Sequence, residues 1–153
     1  MINRAYLPRQ QNDKIKDMEK QIKQLIEWHT KFNVPFRTEP CPFDDSDENI
    51  ALLRLRGRIM LEEVKEWITE AIYNSDIDKR AKELADILYT VFGTIITEGL
   101  QDKIEQVFDA VHQSNMSKLG EDGKPVMRYD GKVMKGPNYK EPDLSFLLNN
   151  PAP

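Results

Sequence analysis

Apolar positions recur at helical spacing through most of the chain up to Ser117. From Lys14 to Phe32 they fall at Ile15, Met18, Ile22, Leu25, Ile26 and Phe32, one face of a helix, with Asp13 placed to cap it. A second stripe, Ile50, Leu53, Gly57, Met60, Leu61, Val64, Ile68 and Ala71, predicts a helix from Ser46 or Asp47 to about Asn74. Ser75 or Asp76 then caps a third helix running to Glu98, and Gly99 stands where a helix-ending glycine belongs. This third helix is apolar nearly all round between Leu84 and Ile96, which predicts burial on most sides. A fourth is expected from about Leu100 to Met116, with Leu100, Ile104, Val107, Phe108 and Val111 turned inward. Phe32 is expected in the core and His112 at the surface or an interface.

The remaining segments break this rhythm. Residues 1–12 are polar, carry Pro8 and read as a loose arm. In NVPFRTEPCPFDDSDEN, Pro35, Pro40 and Pro42 forbid a regular helix, and the loop is long for a mere linker. After Lys118 two Asp-Gly pairs, Asp122-Gly123 and Asp130-Gly131, favour tight hairpin turns. VMRY and KVMK would be short strands about the second turn, and LSFLL a short apolar latch before a frayed end. So few apolar residues cannot hold this tail alone; it needs the bundle or another subunit. The fold class is all-α: a four- to five-helix bundle in one domain, with a helical core over about 13–117 and a hairpin-containing tail over 118–153.

Composition narrows the function. A chain of 153 residues with 39% hydrophobic and 31% charged residues suits one domain of amphipathic helices. Its net charge is −4 and no basic block stands out, which disfavours polynucleotide binding. Cys41 is the sole cysteine, so no intramolecular disulfide can form. No apolar stretch resembles a leader and no run of 18 apolar residues could span a membrane; a cytoplasmic protein is expected.

The chemistry lies in four acids. Glu63 and Glu66 are three residues apart on the second helix, and Glu83 and Asp86 repeat that spacing on the third. The second pair sits among Leu84, Ala85, Ile87 and Leu88, where unpaired acids would cost several kcal/mol, as an order of magnitude. Arg54, Arg56, Arg58 or Lys82 could supply a counter-cation; a divalent metal is the other solution. Mg²⁺ suits such a site, because it takes hard oxygen ligands from carboxylates and phosphates together, and Mn²⁺ could replace it. A single acidic pair is ordinarily a solvated helix face; two pairs, one in an apolar setting, are less easily explained so. A di-iron site would need a Glu-x-x-His motif, and His29 and His112 are the only histidines. DDSDEN lacks the central glycine and distal glutamate of a calcium loop.

Glu63-x-x-Glu66 followed by Glu83-x-x-Asp86 resembles the ExxE…ExxD signature of the all-alpha nucleoside triphosphate pyrophosphatases. The fuller context, MLEEVKEWITEAI and KELADILYTVFG, is most similar to the MazG-like and phosphoribosyl-ATP pyrophosphohydrolase-like proteins, and the DGK-containing tail to a single-domain MazG-like subgroup. The resemblance spans roughly residues 15–144. It implies a homodimer or homotetramer, a cleft partly built across the subunit interface, and cleavage of a nucleoside triphosphate to monophosphate and pyrophosphate. It also implies Asn115 and Lys118 as phosphate contacts, which their place at the end of the fourth helix's apolar stripe allows, and it sets WHTKF near the base-binding region.

The expected site is therefore Mg²⁺ on Glu63, Glu66, Glu83 and Asp86, with Glu63 or Glu66 activating water. Asn115, Lys118, Arg58 and Arg54 would meet phosphates, and His29 and Trp28 the base. For each a blander role exists: helix termination for Asn115 and Lys118, pairing with Glu62 for the arginines, half-burial for His29. Lys124, Lys132, Lys135 and Tyr139 read chiefly as solvated turn residues, with closure of the tail over the nucleotide as the alternative. Two other functions stay open: hydrolysis of phosphoribosyl-ATP, and a non-enzymatic oligomerisation or nucleotide-sensing module.

Overall fold

Short polar side chains start two of the helices as the sequence predicts. The Ser46 hydroxyl accepts the Asn49 N–H, and the Asp76 carboxylate accepts the Asp78 N–H. The structure, a computed structural model, describes residues 18–41, 44–74 and 76–149. The expected arm over 1–12, the Asp13 cap, the turn of helix from Lys14, Pro42, Ser75 and the end beyond Asn149 lie outside them. The helices are α1 (Glu19–Lys31), α2 (Asp47–Tyr73), α3 (Ile77–Thr97), α4 (Ile104–Met116) and a short α5 (Phe146–Asn149).

Arg56 of α2 meets Thr90 and Thr94 of α3, while Glu63 lies beside Glu83 and Asp86. Rising numbers on one helix match falling numbers on the other, so α2 and α3 run antiparallel along most of their length. On α3's other flank, Ile22 and Leu25 of α1 close on Ile96 to form the buried core, with Met18, Ile26, Phe92 and Ile104 around it.

Gly99 ends α3 as expected and for two reasons. Its φ of +72° suits glycine, and a Cβ there would fall 1.8 Å from the Glu39 carbonyl oxygen. The proline-rich loop thus packs against the end of α3. The Arg37 N–H donates to the Ile96 carbonyl at 3.0 Å, and the Gln101 amide to the carbonyls of Arg37 and Thr38. After Gly99 the chain turns before re-entering a helix, so α4 begins at Ile104 rather than Leu100.

Several burial expectations are corrected. Leu84 and Leu88, taken as enclosed, are exposed; Leu88 is 56% exposed. Leu61 and Ile68 of the α2 stripe, Phe108 and Val111 of α4, and Phe32 are exposed as well. Among the described residues the main helix packing is of α3 against α2 and α1, and α4 finds hardly any helix to lean on, which leaves these side chains uncovered. The tail's two Asp-Gly turns form, with Gly123 and Gly131 at positive φ. Its strands reduce to single bridges, Leu119 with Pro125 and Met127 with Val133, because no further strand or apolar face extends the pairing. Among the described residues there are five helices and no strand, and no helix is long and apolar enough to cross a membrane.

Candidate functional site

Antiparallel packing carries the two acidic pairs to the same level. Glu63 of α2 and Glu83 and Asp86 of α3 each bring one carboxylate oxygen within 4.8 Å of the others. Burial and then the charges of Glu66, Asp86 and Glu83 push the Glu63 carboxyl above its ordinary value. Glu66 is exposed and stands outside the tight triad, although its charge reaches Glu63.

Of the candidate counter-cations, Lys82 reaches the acids. Its ammonium donates to Asp86 Oδ2 at 2.7 Å and to Glu83 Oε1 at 3.1 Å. Those two hydrogen bonds hold Lys82 strongly in its charged form. It leaves part of the site unmet. Glu83 is 7% exposed, and its Oε2 is buried with no hydrogen-bond partner among the described residues. Lys82 itself is mostly exposed, and its one charge is set against the three acids Glu63, Glu83 and Asp86. An unpartnered buried oxygen beside two further carboxylates is the donor chemistry of a hard divalent cation, and Glu63, Glu83 and Asp86 could hold one.

The other predicted residues fall into separate places. Arg58 shares a shallow groove with Glu66, Leu61 and Lys65. Arg54 is exposed one turn earlier on α2. Trp28 lines an apolar groove of about 850 Å³ between α1 and α3, stacked on Phe32 and edge-on to Tyr89. Asn115 and Lys118 bond to each other at 2.7 Å at the end of α4, where the Lys118 carbonyl accepts the Gly136 N–H of the tail. No contact among the described residues joins this pair to the acids.

His29 departs most from the expected base contact. It is 1% exposed, walled in by α3 and residues 34–36, and neither ring nitrogen makes a well-formed hydrogen bond among the described residues, although the Pro35 and Val34 backbone stands close to the ring. A ligand cannot reach it without displacing that wall. Burial pushes its pKa down and the nearby Arg56 charge adds to this, against partial compensation from the Pro35 and Val34 backbone. The sign of its stability effect follows. The unfolded imidazole titrates near 6.5 and the folded one lower, so stability is full above that value and falls as pH drops through it. Glu63, raised in the folded state, acts in the opposite sense at lower pH. Between pH 7.5 and 5.5 the urea midpoint is expected to fall for the wild type, and to fall less for His29→Gln. Equal slopes in both proteins would exclude His29 as the source.

By sequence Arg56 stands out only as one possible counter-cation. It is buried, donates to the Thr90 carbonyl at 2.8 Å and the Thr94 hydroxyl at 3.2 Å, and occupies space that Gly93 leaves free. The signal for it was the run of small residues Thr90, Gly93, Thr94 and Thr97 on one side of α3.

The profile of one protein family, described as phosphoribosyl-ATP pyrophosphohydrolase, matches residues 25–115. Among solved structures, a protein from Exiguobacterium sp. 255-15, itself named only provisionally as an NTP pyrophosphohydrolase, is 25% identical. The likeness covers 84% of this chain and 90% of that one, and its TM-score of 0.42 is too low to bear on function. No curated protein matches the chain significantly. The family match encloses both acidic pairs, Trp28, His29 and Asn115; Lys118 and the tail lie beyond it.

Proposed function

The chain belongs to the phosphoribosyl-ATP pyrophosphohydrolase family and is a pyrophosphohydrolase, and on that premise we propose that it hydrolyses a nucleoside triphosphate, ribo- or deoxyribo-, to the monophosphate and pyrophosphate. The observation that carries this reading is the convergence of Glu63, Glu83 and Asp86, with one buried carboxylate oxygen left unpartnered. Those three acids would hold Mg²⁺, or Mn²⁺ in its place, with Glu66 as the fourth acid of the site. The cation would offset the charge of the triphosphate and lower the pKa of water at the site.

The chain's own groups divide the remaining work. Glu66, exposed and adjacent to Glu63, is free to accept a proton from the attacking water; Glu63 is the second choice for that role. Arg58, in the groove beside Glu66, and Arg54 would neutralise phosphate. Trp28 would stack the base in the aromatic groove, where a planar heterocycle finds Phe32 and Tyr89 as well. Trp28→Ala is then expected to raise KM about tenfold or more with a smaller change in kcat, since base stacking is worth about 1–3 kcal/mol. An unchanged KM would remove the base from this groove.

Asn115 and Lys118 enter the reading through assembly. Exposed Leu61, Ile68, Ile72, Leu84, Leu88 and Phe108 are more apolar surface than a helical monomer ordinarily leaves uncovered. A homodimer or homotetramer would cover it, and the α4 end of one copy could then approach the acids of another.

The family match itself favours a second substrate within the same chemistry, phosphoribosyl-ATP. One experiment separates the two: turnover of phosphoribosyl-ATP beside canonical and modified ribo- and deoxyribonucleoside triphosphates, with Mg²⁺. Higher kcat/KM on a triphosphate supports the first reading; higher kcat/KM on phosphoribosyl-ATP replaces it with the second. A non-enzymatic module does not fit the family, and the intact acid set agrees with that.

A further inference from the structure

Two turns along α2 from the acids lies a buried cation that the chemistry above does not use. Arg56 is largely enclosed between α2, α3 and His29, yet no carboxylate pairs with it among the described residues. Its partners are the Thr90 carbonyl and the Thr94 hydroxyl, both on α3. Burying a guanidinium against neutral acceptors is costly. The space it needs is also costly. A Cβ on Gly93 would lie 2.4 Å from Arg56 Nη2 and 3.2 Å from His29 Nε2, so the gap exists only with glycine, which weakens a helix interior by about 1 kcal/mol relative to alanine.

These costs do not serve stability in any obvious way. The Thr94 hydroxyl also donates to the Thr90 carbonyl at 2.8 Å, so that carbonyl keeps a partner and the hydroxyl keeps its donated bond if Arg56 is removed. What the two hydrogen bonds do fix is the register of α2 against α3. Glu63 follows Arg56 by seven residues, about 10 Å along the helix, and Asp86 precedes Thr90 by four. The same antiparallel alignment that sets Arg56 on Thr90 and Thr94 therefore sets Glu63 against Glu83 and Asp86. Like charges at that level repel, so the helices would otherwise slide or splay there to separate them.

We propose that Arg56, seated in the gap left by Gly93, is a positioning residue that locks α2 and α3 in the register at which Glu63, Glu83 and Asp86 converge on one divalent cation. This rests on the metal reading above. The probe is Mn²⁺ alone, titrated into the full-length protein and followed by electron paramagnetic resonance, with circular dichroism on the same samples.

Arg56→Met is expected to stay helical and to bind Mn²⁺ about 10–100-fold more weakly, the usual range for residues that orient metal ligands. Arg56→Lys, which can still reach the Thr90 carbonyl, is expected to recover part of the loss. Gly93→Ala, which displaces the guanidinium without deleting it, is expected to weaken Mn²⁺ too. The double variant Arg56→Met with Gly93→Ala should be little worse than the poorer single one. A merely structural Arg56 would move the melting temperature and leave Mn²⁺ affinity alone. Wild-type affinity in folded Arg56→Met overturns the proposal while the metal site stands. If Arg56→Met does not fold, wild-type affinity in Gly93→Ala overturns it equally. A wild type that binds no Mn²⁺ overturns the metal reading, and this proposal with it.

Discussion

Asp86→Asn is expected to lower kcat by about a thousandfold or more, some 4 kcal/mol of transition-state stabilisation, while leaving the helical fold intact. The substitution keeps size and shape but removes one of three converging carboxylates. Without metal the variant should melt no lower than the wild type, because it removes one of the like charges that, after burial, push the Glu63 carboxyl up. It also takes one of the two acceptors from Lys82, whose ammonium keeps Glu83. Mg²⁺ in tenfold excess over its Kd should stabilise the wild type by about 1.4 kcal/mol and the variant by much less. Near-normal turnover in Asp86→Asn would show that these acids are not the metal site.

The second large effect concerns assembly. At micromolar concentration the chain is expected to sediment as a dimer or tetramer, with a melting temperature that rises with protein concentration. The physical reason is the thinness of the core: among the described residues Ile22, Leu25 and Ile96 are the buried hydrophobic ones, while Leu61, Ile68 and Ile72 of α2 and Leu84 and Leu88 of α3 are exposed. Ile68→Arg together with Ile72→Arg places two charges on the exposed α2 stripe. That pair should weaken association by about a hundredfold or more, on the order of 3 kcal/mol. It should also lower turnover if Asn115 and Lys118 act across the interface. A wild type that is monomeric at every concentration, with a constant melting temperature, would contradict this and return Asn115 and Lys118 to helix termination.

Much of the fold was legible because helices announce themselves locally. Ser46, Asp76 and Gly99 marked ends through capping chemistry, and the three-residue spacing of each acidic pair put it on one face without knowledge of the partner helix. Pairing the two helices in register was a matter of topology, and the resemblance supplied it before the structure did. Burial was not legible. The apolar girdle of α3 predicts contact on most sides but cannot say whether the contact comes from the same chain, and Leu84 and Leu88 stay about half exposed here. The full burial of His29, beyond the half-burial its place on the first helix suggests, and the seat of Arg56 were hidden for a related reason. Sequence spacing alone does not say how deeply a polar residue on an amphipathic helix is buried, and the missing side chain at Gly93 shows that the interior has room for both. The tail's turns followed from Asp-Gly, whereas its strands did not form beyond single bridges, since turn chemistry sets a reversal and not the length of pairing.

The central claim is phosphoanhydride cleavage that depends on a divalent cation and yields pyrophosphate. Its most direct test is chromatography of the products from a panel of nucleoside triphosphates, with Mg²⁺ and with chelator. The account predicts monophosphate and pyrophosphate in equal amounts with Mg²⁺, and neither with chelator. Diphosphate and inorganic phosphate as products, or turnover that chelator leaves unchanged, would contradict it.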